Sequence, residues 1–142
     1  MDEELQLVLA EAGINRVLQR YSRAMDTGDE AGWVACFTED AVMDVRKTDG
    51  TLIHREEGHT DLARYVAHYP KPPNFRKHIY CASVIDADPK QGKARVESHW
   101  VLLASGPNGE AVLSAFGSAK DVLVRTPKGW LIKERVAVAE AM

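Results

Sequence analysis

Cysteine is scarce: only Cys36 and Cys81 occur in 142 residues, in separate apolar segments and without the spacing of a metal site. A reduced pair rather than a disulfide is expected, as suits a cytoplasmic protein. No apolar run approaches the roughly 20 residues a membrane-spanning helix needs. The acidic start, Met1-Asp2-Glu3-Glu4, lacks the basic-then-apolar order of a secretory leader. A basic excess is missing too: 18 Lys and Arg stand against 21 Asp and Glu, a net charge of −3. That balance argues against nucleic acid or an anionic membrane as partner. There is no Gly-x-Ser-x-Gly, no phosphate loop and no dinucleotide fingerprint. The five histidines, His54, His59, His68, His78 and His99, include no helical i, i+4 ligand pair, so neither metal nor cofactor is expected.

What is present is an ordinary globular mix, 45% hydrophobic and 27% charged, in a chain of one-domain size (residues 1–142). Ile14, Val17, Leu18, Tyr21 and Met25 recur at three- and four-residue steps, the stripe of a helix that ends at Gly28. Its start falls near residues 3–12, with Gly13 weakening its middle. Asp29 caps a short second helix whose Trp33 shares a face with Phe37. Residues 41–46 alternate as a strand, Asp49-Gly50 signals a hairpin and residues 51–54 return. A third helix over 61–69 is stopped by Pro70, and Pro72-Pro73 marks a rigid loop. From Phe75 onward, turns near 88–92, 106–109 and 127–129 separate four long strands, an antiparallel meander. The expected class is α+β, with helices packed into the concave side of a curled sheet so that a pocket remains at its open end.

Asp26 is the most pointed feature of the first helix. A carboxylate in the last turn faces the negative end of the helix dipole, unfavourable by about 0.3–1 kcal/mol. It either points into water or meets a cationic or hydrogen-bonding group from elsewhere in the chain.

The motif order is Tyr21-x-x-x-x-Asp26-x-Gly28-Asp29, Trp33…Cys36-Phe37-Thr38-Glu39-Asp40-Ala41, and Gly58 before a helix. Arg76-Lys77-His78 follows on a strand, and Asp121-x-x-x-Arg125-Thr126-Pro127-Lys128-Gly129-Trp130-x-Ile132-x-x-Arg135 closes the chain. This order resembles the SnoaL-like domains of the NTF2-like superfamily, cone-shaped α+β folds with a curved antiparallel sheet and three helices around a pocket. The resemblance covers nearly the whole chain. It is specific for fold and weak for reaction, because that fold hosts cyclases, dehydratases, isomerases, a dehydrochlorinase and non-catalytic subunits. In the branch resembling scytalone dehydratase, bile-acid 7α-dehydratase and lindane dehydrochlorinase, an Asp–His pair falls residue by residue on Asp26 and His78. A tyrosine five positions before the Asp falls on Tyr21, and an arginine of the last strand on Arg135.

The chemistry asks for these types. An imidazole that donates one N–H to a carboxylate has a fixed tautomer and a stabilised conjugate acid, so it accepts protons near neutrality. A phenol or guanidinium can then stabilise the developing negative charge. Each residue also has a plainer reading: His78 as a structural histidine, Tyr21 as a core tyrosine. Strand alternation sets Trp130, Ile132, Glu134 and Val136 on one face and Leu131, Lys133 and Arg135 on the other, so Arg135 reaches a pocket only if a bulge shifts the count. His99 is a second acid–base candidate or an exposed residue. Trp100, Phe116 and Tyr65 are candidates for a pocket wall, or plain core. Ala119 stands where many relatives carry a tyrosine before the Asp of Gly117-x-x-x-Asp121, which weighs against a tyrosine-based mechanism.

These readings converge on a cofactor-independent lyase or isomerase acting on a hydrophobic cyclic ligand, with elimination ahead of isomerisation and cyclisation. The alternative is a non-catalytic binding module or the small subunit of a ring-hydroxylating dioxygenase. A homo-oligomer is expected, a trimer slightly ahead of a dimer. Val122, Val124, Leu131, Val136 and Val138 exceed what one concave core absorbs.

Overall fold

The computed structural model describes residues 2–72 and 75–142; Pro73 of the expected loop lies outside them. Helix α1 runs from Glu3 to Thr27 without a break. Asp2 caps it, its side chain accepting the Glu4 N–H at 3.0 Å, and Gly28 ends it in the left-handed conformation. Gly13 is a packing contact rather than a weak point, because a Cβ there would lie 2.8 Å from Trp130 Cδ1. Asp29 caps α2 (Glu30–Val34) by accepting the Gly32 N–H at 3.0 Å. Strands β1 (Phe37–Lys47) and β2 (Leu52–Glu57) form the hairpin at Asp49-Gly50. Helix α3 covers Gly58–Ala67, starting and ending earlier than the sequence suggests. Tyr69 therefore leaves the helix before Pro70.

The long strands are β3 (Arg76–Asp88), β4 (Lys93–Ser105), β5 (Ala111–Thr126) and β6 (Gly129–Ala141). They make the expected antiparallel meander within one six-stranded sheet of order β2-β1-β6-β5-β4-β3. One pairing departs from the all-antiparallel expectation: β1 lies parallel to β6. Nothing local signals that pairing, because it joins the first strand to the last across the whole meander.

Two bulges decide which side chains face the helices. In β6, Val122 pairs with Glu134 and Leu123 with Ile132, so Lys133 is the extra residue. Parity inverts there, and Ile132 and Arg135 are both buried. In β3, Cys81 pairs with His99 and Val84 with Glu97, and Ala82 takes a left-handed backbone (φ 52°). Before that bulge His78 and Tyr80 are the more buried residues; after it Ile85 and Ala87 are. Ile14, Val17, Tyr21 and Met25 of α1 pack with Val96, Leu123 and Ile132 to form the core under the concave face. Leu131, expected on the convex face, belongs to this core instead, whereas Val122, Val124, Val136 and Val138 are half-buried.

Candidate functional site

The electrostatic problem of Asp26 is solved by β3. Its carboxylate accepts the backbone N–H of His78 on both oxygens, at 3.1 and 3.0 Å, and Oδ1 lies 2.6 Å from His78 Nδ1. These donors offset the helix dipole. A carboxylate only accepts, so Nδ1 carries the hydrogen and the neutral ring keeps its lone pair on Nε2.

That lone pair already has a partner. The Tyr69 hydroxyl lies 2.9 Å from Nε2 and donates to it. Burial pushes the Tyr69 pKa up to about 12, so the phenol keeps its proton at neutral pH. The arrangement is thus Asp26–His78–Tyr69, in which the carboxylate sets the tautomer and the phenol covers the basic nitrogen.

Arg135 faces inward because of the bulge at Lys133. It is 1% exposed and forms a two-pronged pair with Asp121, Nε to Oδ1 at 2.6 Å and Nη2 to Oδ2 at 2.8 Å. Nη1 donates to the Tyr80 hydroxyl at 2.8 Å. The guanidinium carbon lies 4.0 Å from the Tyr21 ring centroid. Burial opposes the charge of Arg135, but Asp121 and the tyrosines around it more than offset that and hold its pKa well above normal. Burial also raises the Tyr80 pKa well above normal, against the pull of Arg135. Tyr21 stands among Trp33, Phe37 and Tyr80, with ring centroids 5.6–5.9 Å away.

Of these groups, His78, Arg135, Tyr80 and Tyr21 line a cavity of about 250 Å³ under the curled sheet. Its polar wall is His54, His78, Tyr21, Tyr65, Tyr80, Trp100 and Arg135, and Met25, Met43, Leu102 and Ala115 make much of the rest. Trp100 is anchored by its indole N–H, which donates to the Ser118 carbonyl at 2.8 Å. A Cβ on the facing Gly117 would sit 2.9 Å from the indole and collide with the Val138 carbonyl oxygen. A separate groove of about 390 Å³ between α1 and β3 reaches His78 and Arg135 from behind. A larger cleft, about 560 Å³, lies between the first half of α1 and the turns beside Pro89 and Arg125, away from the dyad. Among the described residues, no cluster of three His, Cys, Asp or Glu side chains could hold a metal ion, and no helix is long and apolar enough to cross a membrane.

Two of the expected site residues face the other way. His99 and Phe116 are exposed. Ser98 and Trp100 are buried on β4, as are Ala115 and Gly117 on β5, so alternation turns the residues between them outward. For His99 this is the exposed placement that stood as its alternative reading. Tyr69, Tyr80 and His54 also stand at the site, and the motif order does not point to them. For Tyr69 the available signal was its i, i+4 spacing from Tyr65. For His54 it was strand alternation in the return of the hairpin.

A model of the SnoaL-like domain matches residues 6–136. Solved structures share the fold. An NTF2-like protein with a cystatin-like fold from Novosphingobium aromaticivorans superposes with a TM-score of 0.82 at 17% identity, over 96% of this chain and 85% of that one. The β subunit of a protein assigned as an aromatic-ring-hydroxylating dioxygenase, from the same organism, gives 0.82 at 18% identity, over 96% and 92%. A Catenulispora acidiphila protein solved in complex with S-DNPA gives 0.77 at 20% identity, over 93% and 94%. No curated protein is similar enough in sequence to count as a relative. With its α+β cone built around one curled sheet and a family model spanning nearly its whole length, the chain belongs to the SnoaL-like domain family.

Proposed function

We propose that the protein is a cofactor-independent lyase or isomerase in which His78, oriented by Asp26, removes a proton from a small hydrophobic cyclic substrate. The observation that carries this reading is the 2.6 Å contact of His78 Nδ1 with Asp26, on a histidine that lines the cavity. The carboxylate fixes the tautomer and stabilises the imidazolium formed when Nε2 takes the proton. Charge develops on the substrate's carbonyl or departing oxygen. Arg135 polarises the Tyr80 hydroxyl by donating to it, which makes the Tyr80 O–H a stronger donor toward that oxygen. The ligand-bound Catenulispora relative supports a small-molecule site in this fold.

The test is exchange of the α-protons of 1-tetralone in D₂O, read by mass spectrometry. Protein-dependent exchange without any added cofactor is expected. Exchange at the buffer rate overturns the enzyme reading and favours a non-catalytic subunit, the reading supported by the likeness to a dioxygenase β subunit.

Tyr69 bears on the first step, because Nε2 has one lone pair and cannot serve phenol and substrate together. The phenol must yield as substrate arrives, and its oxygen can then accept from the imidazolium. Tyr69→Phe is therefore expected to speed carbethoxylation of His78 by diethyl pyrocarbonate by roughly 2- to 12-fold, the worth of one hydrogen bond. An unchanged rate would show that the contact does not mask the base.

The protein is also read as a homo-oligomer, with a trimer slightly favoured. Ile79, Val101 and Phe116 are neighbours across β3, β4 and β5 on the outer face, with Ile79 and Phe116 45% and 41% exposed. Light scattering should return a multiple of 15.7 kDa; the mass of a single chain would refute this.

A further inference from the structure

We infer that His54 forms a second polar pole of the cavity and accepts a hydrogen bond from a hydroxyl group on the ligand, at the end opposite the proton that His78 removes. The inference rests on the reading of the cavity as the substrate site.

His54 and His78 stand on β2 and β3, the two edge strands of the six-stranded sheet. Curling brings both to one cavity. An aromatic row from α3 and the turn beyond it bridges them. His54 stacks on Tyr65 with centroids 4.7 Å apart and planes at 25°, Tyr65 stands 6.0 Å from Tyr69, and Tyr69 stands 5.6 Å from His78. Stacking fixes the plane of the His54 ring.

A purely structural role fits His54 poorly. Its Nδ1 is buried with only Glu56 beside it, so a ligand hydrogen bond can go only to Nε2. A phenylalanine would make the same stack with nothing left unsatisfied. The nearest carboxylate is Glu56, whose Oε1 lies 3.5 Å from Nδ1. It is the looser counterpart of Asp26 beside His78, and it favours the tautomer with hydrogen on Nδ1. Nε2 then carries the lone pair, on a ring that lines the cavity. Burial lowers the His54 pKa against the opposing pull of Glu56 and Asp44, which keeps the ring neutral and hence an acceptor. A neutral acceptor selects a donor, and in an apolar cyclic ligand that donor is an alcohol or phenol.

Volume narrows the class further. A cavity of about 150 Å³ takes up benzene, so about 250 Å³ suits one or two fused rings. The ligand is thus a monocyclic or bicyclic ketone with a hydroxyl at its far end.

The test compares 1-tetralone with 6-hydroxy-1-tetralone, with dissociation constants from calorimetry and both histidine ring signals followed by NMR. In the wild type the hydroxyl should tighten binding by roughly 2- to 12-fold, the worth of one hydrogen bond, and should shift the His54 signals. His54→Phe should erase that difference while still binding 1-tetralone. His54→Gln, whose side-chain oxygen can still accept, should restore part of it. If the two compounds bind the wild type equally while His78 signals move, the His54 assignment fails and the cavity reading stands. If neither compound perturbs His78, the cavity reading fails and the assignment falls with it.

Discussion

His78→Ala is expected to lower protein-dependent α-proton exchange by about 10²–10⁴-fold, the usual worth of a general base, while shifting the melting temperature little. The structure explains the small stability cost. The backbone N–H of residue 78 still donates to Asp26 after the ring is gone, so the carboxylate keeps partners. The vacated space joins the inner cavity to the groove behind it, where water can enter, since His78 borders both. Asp26→Asn should nearly match the loss of exchange, because an amide oxygen can hold the ring N–H but does not stabilise the imidazolium. It should also unfold more easily than His78→Ala. One amide oxygen cannot accept everything that two carboxylate oxygens take from residue 78, and its NH₂ would face a donor; one such conflict costs about 1–3 kcal/mol. Exchange rates read beside thermal unfolding settle the matter. Full exchange in Asp26→Asn together with a steep stability loss in His78→Ala would make the pair a structural bond and nothing more.

Asp121→Asn is expected to cost about 3–5 kcal/mol of folding stability, a large share of the roughly 5–15 kcal/mol of a typical domain. Among the described residues, Arg135 hydrogen-bonds to no charged group but Asp121, its other partner being Tyr80, and it is 1% exposed. Removing the carboxylate charge leaves a buried cation facing an amide. The double replacement Asp121→Asn with Arg135→Met should recover part of the loss, because an apolar side chain among Tyr21 and Tyr80 needs no counter-charge. Urea unfolding of the single and double variants measures both terms. An Asp121→Asn midpoint equal to wild type would show that Arg135 is satisfied without its carboxylate.

Local sequence determined a good deal of this protein. The stripe Ile14-Val17-Tyr21-Met25 with Gly28 defines α1, Asp29 caps α2, Asp49-Gly50 turns the first hairpin, and the later turns space the four strands of the meander. Those signals are short-range: a helical period of 3.6, a strand period of 2, and turn residues that tolerate unusual backbone angles. The resemblance in motif order also pairs Asp26 with His78 across 52 residues of sequence. Tertiary structure decided the rest. Alternation along β6 cannot say which parity faces inward once Lys133 bulges, and that bulge arises from pairing with β5; hence Arg135 could not be placed from its own strand. The same period puts His99 and Phe116 outside as soon as Trp100 and Gly117 are inside, a choice made by the helices packing on one face. Tyr69 meets His78 from the bend just beyond the early end of α3. His54 reaches the same cavity because the sheet curls its two edges together. Contacts of this kind join elements whose separation along the chain carries no periodic signal, so only the folded arrangement of strands and helices establishes them.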